Sequence, residues 1–173
     1  MTLYCFDSNV FIRAKNFEHQ FAIAPGFWDW IDRLFYNGLL ICGHMVYEEL
    51  HKREDPLSDW IEKREQYFFD PENREQTAFT TISSHVTSQY EEKKVRSFLD
   101  GADPWVIASA MANNLVVVSM EKRITNPEPT SKIKIPNICD YFAVEIISMY
   151  DCMVRTQAIL DLRKNIDDEF KLV

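Results

Sequence analysis

Leu115-Val116-Val117-Val118 constrains the chain most: four apolar residues in a row, three of them β-branched, directly after a helical segment that ends at Asn113-Asn114. A short continuous apolar run of this kind suits a strand buried on both faces, as in a parallel sheet covered by helices. Apolar runs at 3–6 and 39–42, and a last one near 143–147, read as further strands. Between them lie helical patterns. Pro25 opens one over 25–37, with Phe27, Trp28, Ile31, Leu34 and Phe35 at helical spacing and Gly38 at its end; others cover 45–53, 57–68, 75–92, 103–113 and a stretch after Ser148. Pro127, Pro129 and Pro136 mark a long loop. Strands alternating with helices predict an α/β fold: a central, mostly parallel sheet of about four to five strands with helices on both faces. With 173 residues, 46% of them apolar, one domain over 1–173 is expected.

The net charge of -8 opposes non-specific attraction to nucleic acid, which draws on clustered Lys and Arg. Carboxylates that bind cations escape this objection, because the bound metal neutralises them and itself attracts phosphate. Cys5, Cys42, Cys139 and Cys152 are widely spaced inside apolar stretches, without a C-x-x-C pattern, as suits buried reduced thiols in the cytoplasm. The N-terminus MTLYCFDSN lacks a basic region and is not expected to be a signal peptide. No apolar run approaches the roughly 20 residues that span a bilayer, so no membrane association is expected.

Four acids sit where an open α/β sheet places its ligand crevice, beyond the carboxyl ends of strands. Asp7 follows the first strand, and Glu121 follows Val116-Val117-Val118 by a few residues. Glu49 shares a helix face with Met45 and Val46, whereas Glu48 is placed to pair with Lys52 in solvent. Asp103, before Pro104, stands at a helix start, where it serves equally well as an N-cap. Each acid alone has an ordinary structural reading. Together they would repel by roughly 4 kcal/mol for a pair about 4 Å apart at an effective dielectric near 20, so their convergence calls for a cation. Oxygen-only ligation points to Mg²⁺ or Mn²⁺ and away from zinc.

Four stretches in this order carry a family resemblance: Tyr4 to Ile12 (YCFDSNVFI), Val46 to Leu50 (VYEEL), Ala102 to Ala108 (ADPWVIA) and Val117 to Lys122 (VVSMEK). They resemble the PIN-domain nucleases, many of which are toxins of bacterial toxin–antitoxin pairs; the tail around Ile135-Pro136-Asn137-Ile138-Cys139 resembles a subfamily of small prokaryotic PIN-like proteins. The resemblance implies a PIN-like fold and a metal-dependent endoribonuclease, with Asp7, Glu49 and Asp103 as metal-binding acids and Glu121 in the place of a fourth, usually Asp. It also implies Asn9 and Ser119 as supporting residues that orient water or metal ligands. RNA, a cognate antitoxin protein and a second copy of the chain are the implied partners.

Arg13, Lys15, Lys122 and Arg123 lie near the acids in sequence and are candidate phosphate contacts, or else solvated surface charges. Trp30 falls off the apolar stripe of its helix and, if exposed, would be a partner contact. The histidines at 19, 44, 51 and 85 show no triad or ligand spacing. Rival functions are a PIN-like binding module without catalysis, suggested by Glu121, and a nuclease of structured DNA. A phosphatase with Asp7 as nucleophile is disfavoured because Asn9 stands where that chemistry wants a second Asp.

Overall fold

The computed structural model describes residues 1–160; the last part of the expected 1–173 domain, residues 161–173, lies outside them. The chain is α/β. Its central sheet has three parallel strands in the order β1 (Tyr4–Phe6), β4 (Val116–Val118), β5 (Ile146–Ile147). Cys5 pairs with Val117, and Val118 with Ile147. A second parallel pair joins β2 (Cys42–Gly43) to β3 (Phe68–Phe69).

The expected single sheet of four to five strands is therefore divided. The segment before β2 runs beside β1, with Tyr4 N donating to Leu39 O and Ile41 N to Tyr4 O, each at 2.9 Å. At Cys42 it passes to β3, and at His44 it turns into helix, so β2 ends after two residues. A strand this short cannot complete a ladder on both sides.

Helices α1 (Ser8–Asn16) and α2 (Pro25–Tyr36) follow β1, with Gly38 at φ +63° closing the turn after α2, a backbone state that glycine takes without strain. Next come α3 (His44–His51) and α4 (Pro56–Glu62). The helix expected over 57–68 stops early, because residues 65–67 form a 3₁₀ turn that delivers Phe68 to β3. The pattern expected over 75–92 is α5 (Asn73–Gln89), followed by the separate α6 (Glu92–Leu99). Helix α7 (Asp103–Asn113) ends on Asn114 in the left-handed conformation and feeds β4. Within the expected proline loop lies α8 (Ile135–Tyr141), with Pro136 in its first turn, where the missing N–H costs nothing. Helix α9 (Met149–Arg155) is capped by Ser148 in a capping box with Asp151.

One continuous apolar cluster holds these elements. Phe6 meets Phe11 and Trp30 with ring centroids 5.8 and 5.9 Å apart, and Trp28, Phe21 and Trp60 extend the aromatic group towards α4. Trp30 is buried, and its indole N–H donates to Thr156 Oγ1 at 2.9 Å, so the exposure on which a partner contact depended is absent. The four cysteines are buried free thiols, and burial pushes Cys42, Cys139 and Cys152 up to about 12. Among the described residues, no helix is long and apolar enough to cross a membrane.

Candidate functional site

β1 and β4 run parallel, so their carboxyl ends lie side by side, with Phe6 paired to Val118. The next residues along each strand are Asp7 and Ser119, and Ser119 Oγ donates to Asp7 Oδ2 at 2.8 Å. Asp7 is also the N-cap of α1: its Oδ1 accepts from Asn9 N at 3.4 Å. The Asn9 side chain reaches back across the crevice, where its Oδ1 accepts from Met120 N at 3.2 Å. Asn9 and Ser119, expected as supporting residues, thus stitch the two strand ends together.

Around this seam opens a cleft of about 540 Å³ lined by all four predicted acids, Asp7, Glu49, Asp103 and Glu121. Glu49 comes from α3, where its Oε2 accepts from Ser8 Oγ at 3.0 Å; Ser8 Oγ also lies 3.4 Å from Asp7 Oδ1, bridging the two acids. Glu48 faces solvent as expected, but its neighbour is His44 Nε2 at 3.9 Å, one turn before it, and not Lys52. Asp103 is the first residue of α7, Ala102 holds the N-cap position, and no side chain caps this helix. The N-cap reading of Asp103 is thereby corrected, and its carboxylate turns to the cleft instead of its own backbone. Glu121 is the most committed acid: Oε1 takes Lys134 Nζ at 2.6 Å and Oε2 accepts from Ile135 N at 3.0 Å, tying the end of β4 to the start of α8.

The electrostatics follow from this crowding. Burial first, then the Asp103 charge, push the Asp7 carboxyl up to about 8 against the pull of the Ser119 and Asn9 hydrogen bonds, with Glu121 adding to the rise. Burial, Glu121 and Glu49 raise Asp103 to about 6, while Lys132 and Lys134 pull it down. Two carboxyls so perturbed in one cleft make it the candidate functional site.

The four basic residues expected at the rim lie elsewhere. Arg13 pairs with Glu18, Lys15 with Asp55 and Arg123 with Asp140, each at 2.7 Å, and Lys122 is exposed without lining the cleft. The lysines that do line it are Lys93 and Lys94 of α6, and Lys132. Sequence reasoning missed them, since nothing local to a Glu-Lys-Lys run says which cleft its helix borders.

A family described as a domain of unknown function (DUF4411) matches residues 4–160. The chain belongs to the DUF4411 family. No curated protein and no solved structure gave a significant match. The DUF4411 match takes in every residue of the cleft.

The donor chemistry of the cleft fits a hard divalent cation: its lining includes four carboxylates and neither histidine nor cysteine. Among the described residues, no three of His, Cys, Asp and Glu are grouped closely enough to hold a metal as they stand. Asp7 and Asp103 are the pair whose mutual repulsion a cation would relieve, while Glu49 and Glu121 carry hydrogen bonds or an ion pair that compete for their oxygens.

Proposed function

We propose that this chain is a metal-dependent endoribonuclease with a PIN-like fold, acting in the cytoplasm as the toxin of a toxin–antitoxin pair. The observation that carries the reading is the cleft beyond β1 and β4, where burial and the Asp103 charge raise Asp7, and burial, Glu121 and Glu49 raise Asp103. Asp7 and Asp103 would hold Mg²⁺ or Mn²⁺, with Glu49 completing the set. The bound cation would supply an activated water and charge stabilisation on the phosphoryl oxygens. Ser119 fixes the Asp7 carboxylate through Oδ2, leaving Oδ1 with longer contacts and freer to bind. Ser8 sets the distance between Asp7 and Glu49. Lys134 holds Glu121 at the mouth, where that carboxylate serves as an outer support for water. A protein antitoxin and a second copy of the chain are the partners this role implies.

The test is cleavage of total cellular RNA by the purified protein with Mn²⁺, with EDTA, and as the Asp7→Asn variant. Discrete fragments seen only with wild type and Mn²⁺ are expected; equal cleavage by the variant would remove the acid cleft from the chemistry.

One observation favours a second reading, a PIN-like binding module without catalysis: both Glu121 oxygens are already engaged by Lys134 and Ile135. Metal binding without cleavage of RNA or of flapped DNA would decide for it, and cleavage of the DNA alone would make the substrate DNA.

A further inference from the structure

The two walls of the cleft differ in charge. α1 and α3 supply Asn9, Ile12 and Glu49, whereas α6 and the segment before α8 supply Lys93, Lys94 and Lys132. Ser97 lies three residues after Lys94 and four after Lys93, so these three share one face of α6 and all three line the cleft. Glu91 N donates to Pro129 O at 3.0 Å, which fastens the start of α6 to the segment carrying Lys132 and makes the lysines parts of one joined wall. Lys134 is paired with Glu121, yet Lys93 and Lys94 have no acidic partner among the described residues, and Lys132 acts only on Asp103 through space. Lysines without an acidic partner among the described residues, set beside the four acids in a chain of net charge -8, concentrate positive charge where a polyanion must approach.

We infer that this wall is the phosphate-binding side of the cleft and that its ligand is single-stranded RNA, with Lys93, Lys94 and Lys132 meeting phosphates that flank the one presented to the acids. The inference rests on the nuclease reading and specifies its substrate contacts. A cleft of about 540 Å³ is the size of a small-molecule pocket, which suits one nucleotide of a flexible single strand at a time. Lysine, a point charge with no planar fork, reads backbone phosphate and not base identity, so binding here is sequence-tolerant.

The experiment measures binding of a labelled single-stranded RNA, and of the same sequence as DNA, to the full chain by fluorescence anisotropy in Ca²⁺ over a series of salt concentrations. Each phosphate contact removed lowers the slope of log K against log salt by about 0.7 for a single strand. The Lys93→Gln/Lys94→Gln double variant is expected to lose about 1.4 from the slope and Lys132→Gln about 0.7. Lys63→Gln, an exposed lysine beyond α4, is expected to lose none. Unchanged slopes in the three cleft positions would overturn the wall while metal-dependent cleavage still stood. Binding of DNA alone would overturn the substrate class. Failure of the wild-type chain to bind either strand would overturn both the wall and the nuclease reading beneath it.

Discussion

Glu75, in the first turn of α5, and Asp7, at the end of β1, are both sealed from solvent, with 0% and 1% of their surface exposed. Their surroundings differ in sign. Burial pushes Glu75 up, but the Asn113 amide at 2.7 Å, the Arg74 guanidinium at 3.2 Å and the Glu72 N–H at 3.0 Å more than compensate, and its carboxyl titrates below the ordinary value. Asp7 has hydroxyl and amide donors but faces Asp103 and Glu121, so burial and repulsion win. A buried carboxylate whose oxygens are filled by the protein is a structural joint, here between α5 and α7. One left among other acids is a place for something the chain does not itself supply.

Asp7→Asn should reduce RNA cleavage by about 100-fold or more, as for loss of a group acting on transition-state charge, while Glu75→Gln should leave the rate per folded molecule unchanged. Stability should respond in the opposite order. Glu75→Ala removes the acceptor of the Glu72 N–H and one of the two acceptors of the Asn113 amide, and should cost about 2–4 kcal/mol in urea denaturation. Asp7→Asn, which relieves repulsion, should leave the metal-free melting temperature unchanged or higher.

The pH dependence sharpens the contrast further. In the unfolded chain Asp7 ionises near its ordinary value of 3.8, whereas the folded protein keeps its proton to about 8. The folded state therefore binds more protons between these values, and metal-free stability should fall as pH rises through this window, by up to about 1.4 kcal/mol per pH unit. Asp103 adds to the slope between its ordinary value and about 6. Glu75 contributes with the opposite sign: its stabilisation is present above its unfolded value and is lost as pH falls through its lower folded one. Denaturation in EDTA across pH should show the fall for wild type and a shallower one for Asp7→Asn. Mn²⁺ should reverse it for wild type alone. The smallest effect expected is on neighbours in α3: Glu49→Gln should slow cleavage roughly 10-fold, in the range for a residue that supports a metal site, and the solvent-facing Glu48→Gln should be nearly silent. The reverse order would move the site by one residue.

Much of the acid cleft was legible because its members sit at strand ends and helix starts, where local pattern is strong. Asp7 ends the apolar run of β1, Ser119 ends that of β4, and Asp103 precedes the proline that opens α7. Glu49 followed from helical spacing alone. The short elements were harder. β3 is two residues long, and Phe68-Phe69 carry no period to separate them from the helical stretch before them. α8 is hidden in the sequence because three prolines over 127–136 also punctuate loops, although Pro136 sits where a helix accepts one.

By itself the sequence determined the alternation of the longer strands and helices, the buried state of the cysteines and the four acids worth testing, because apolar runs, periodicity and caps act over a few residues. Tertiary structure alone decided which charges meet. Lys134 reaches Glu121 across thirteen positions, while Arg123, two residues from Glu121, turns away to Asp140. Trp30, outside the stripe of its own helix, is buried by Phe6 and by Thr156 from the far end of the chain. Coulombic and packing energies depend on distance through space, and only the fold brings residues far apart in the chain within reach of each other.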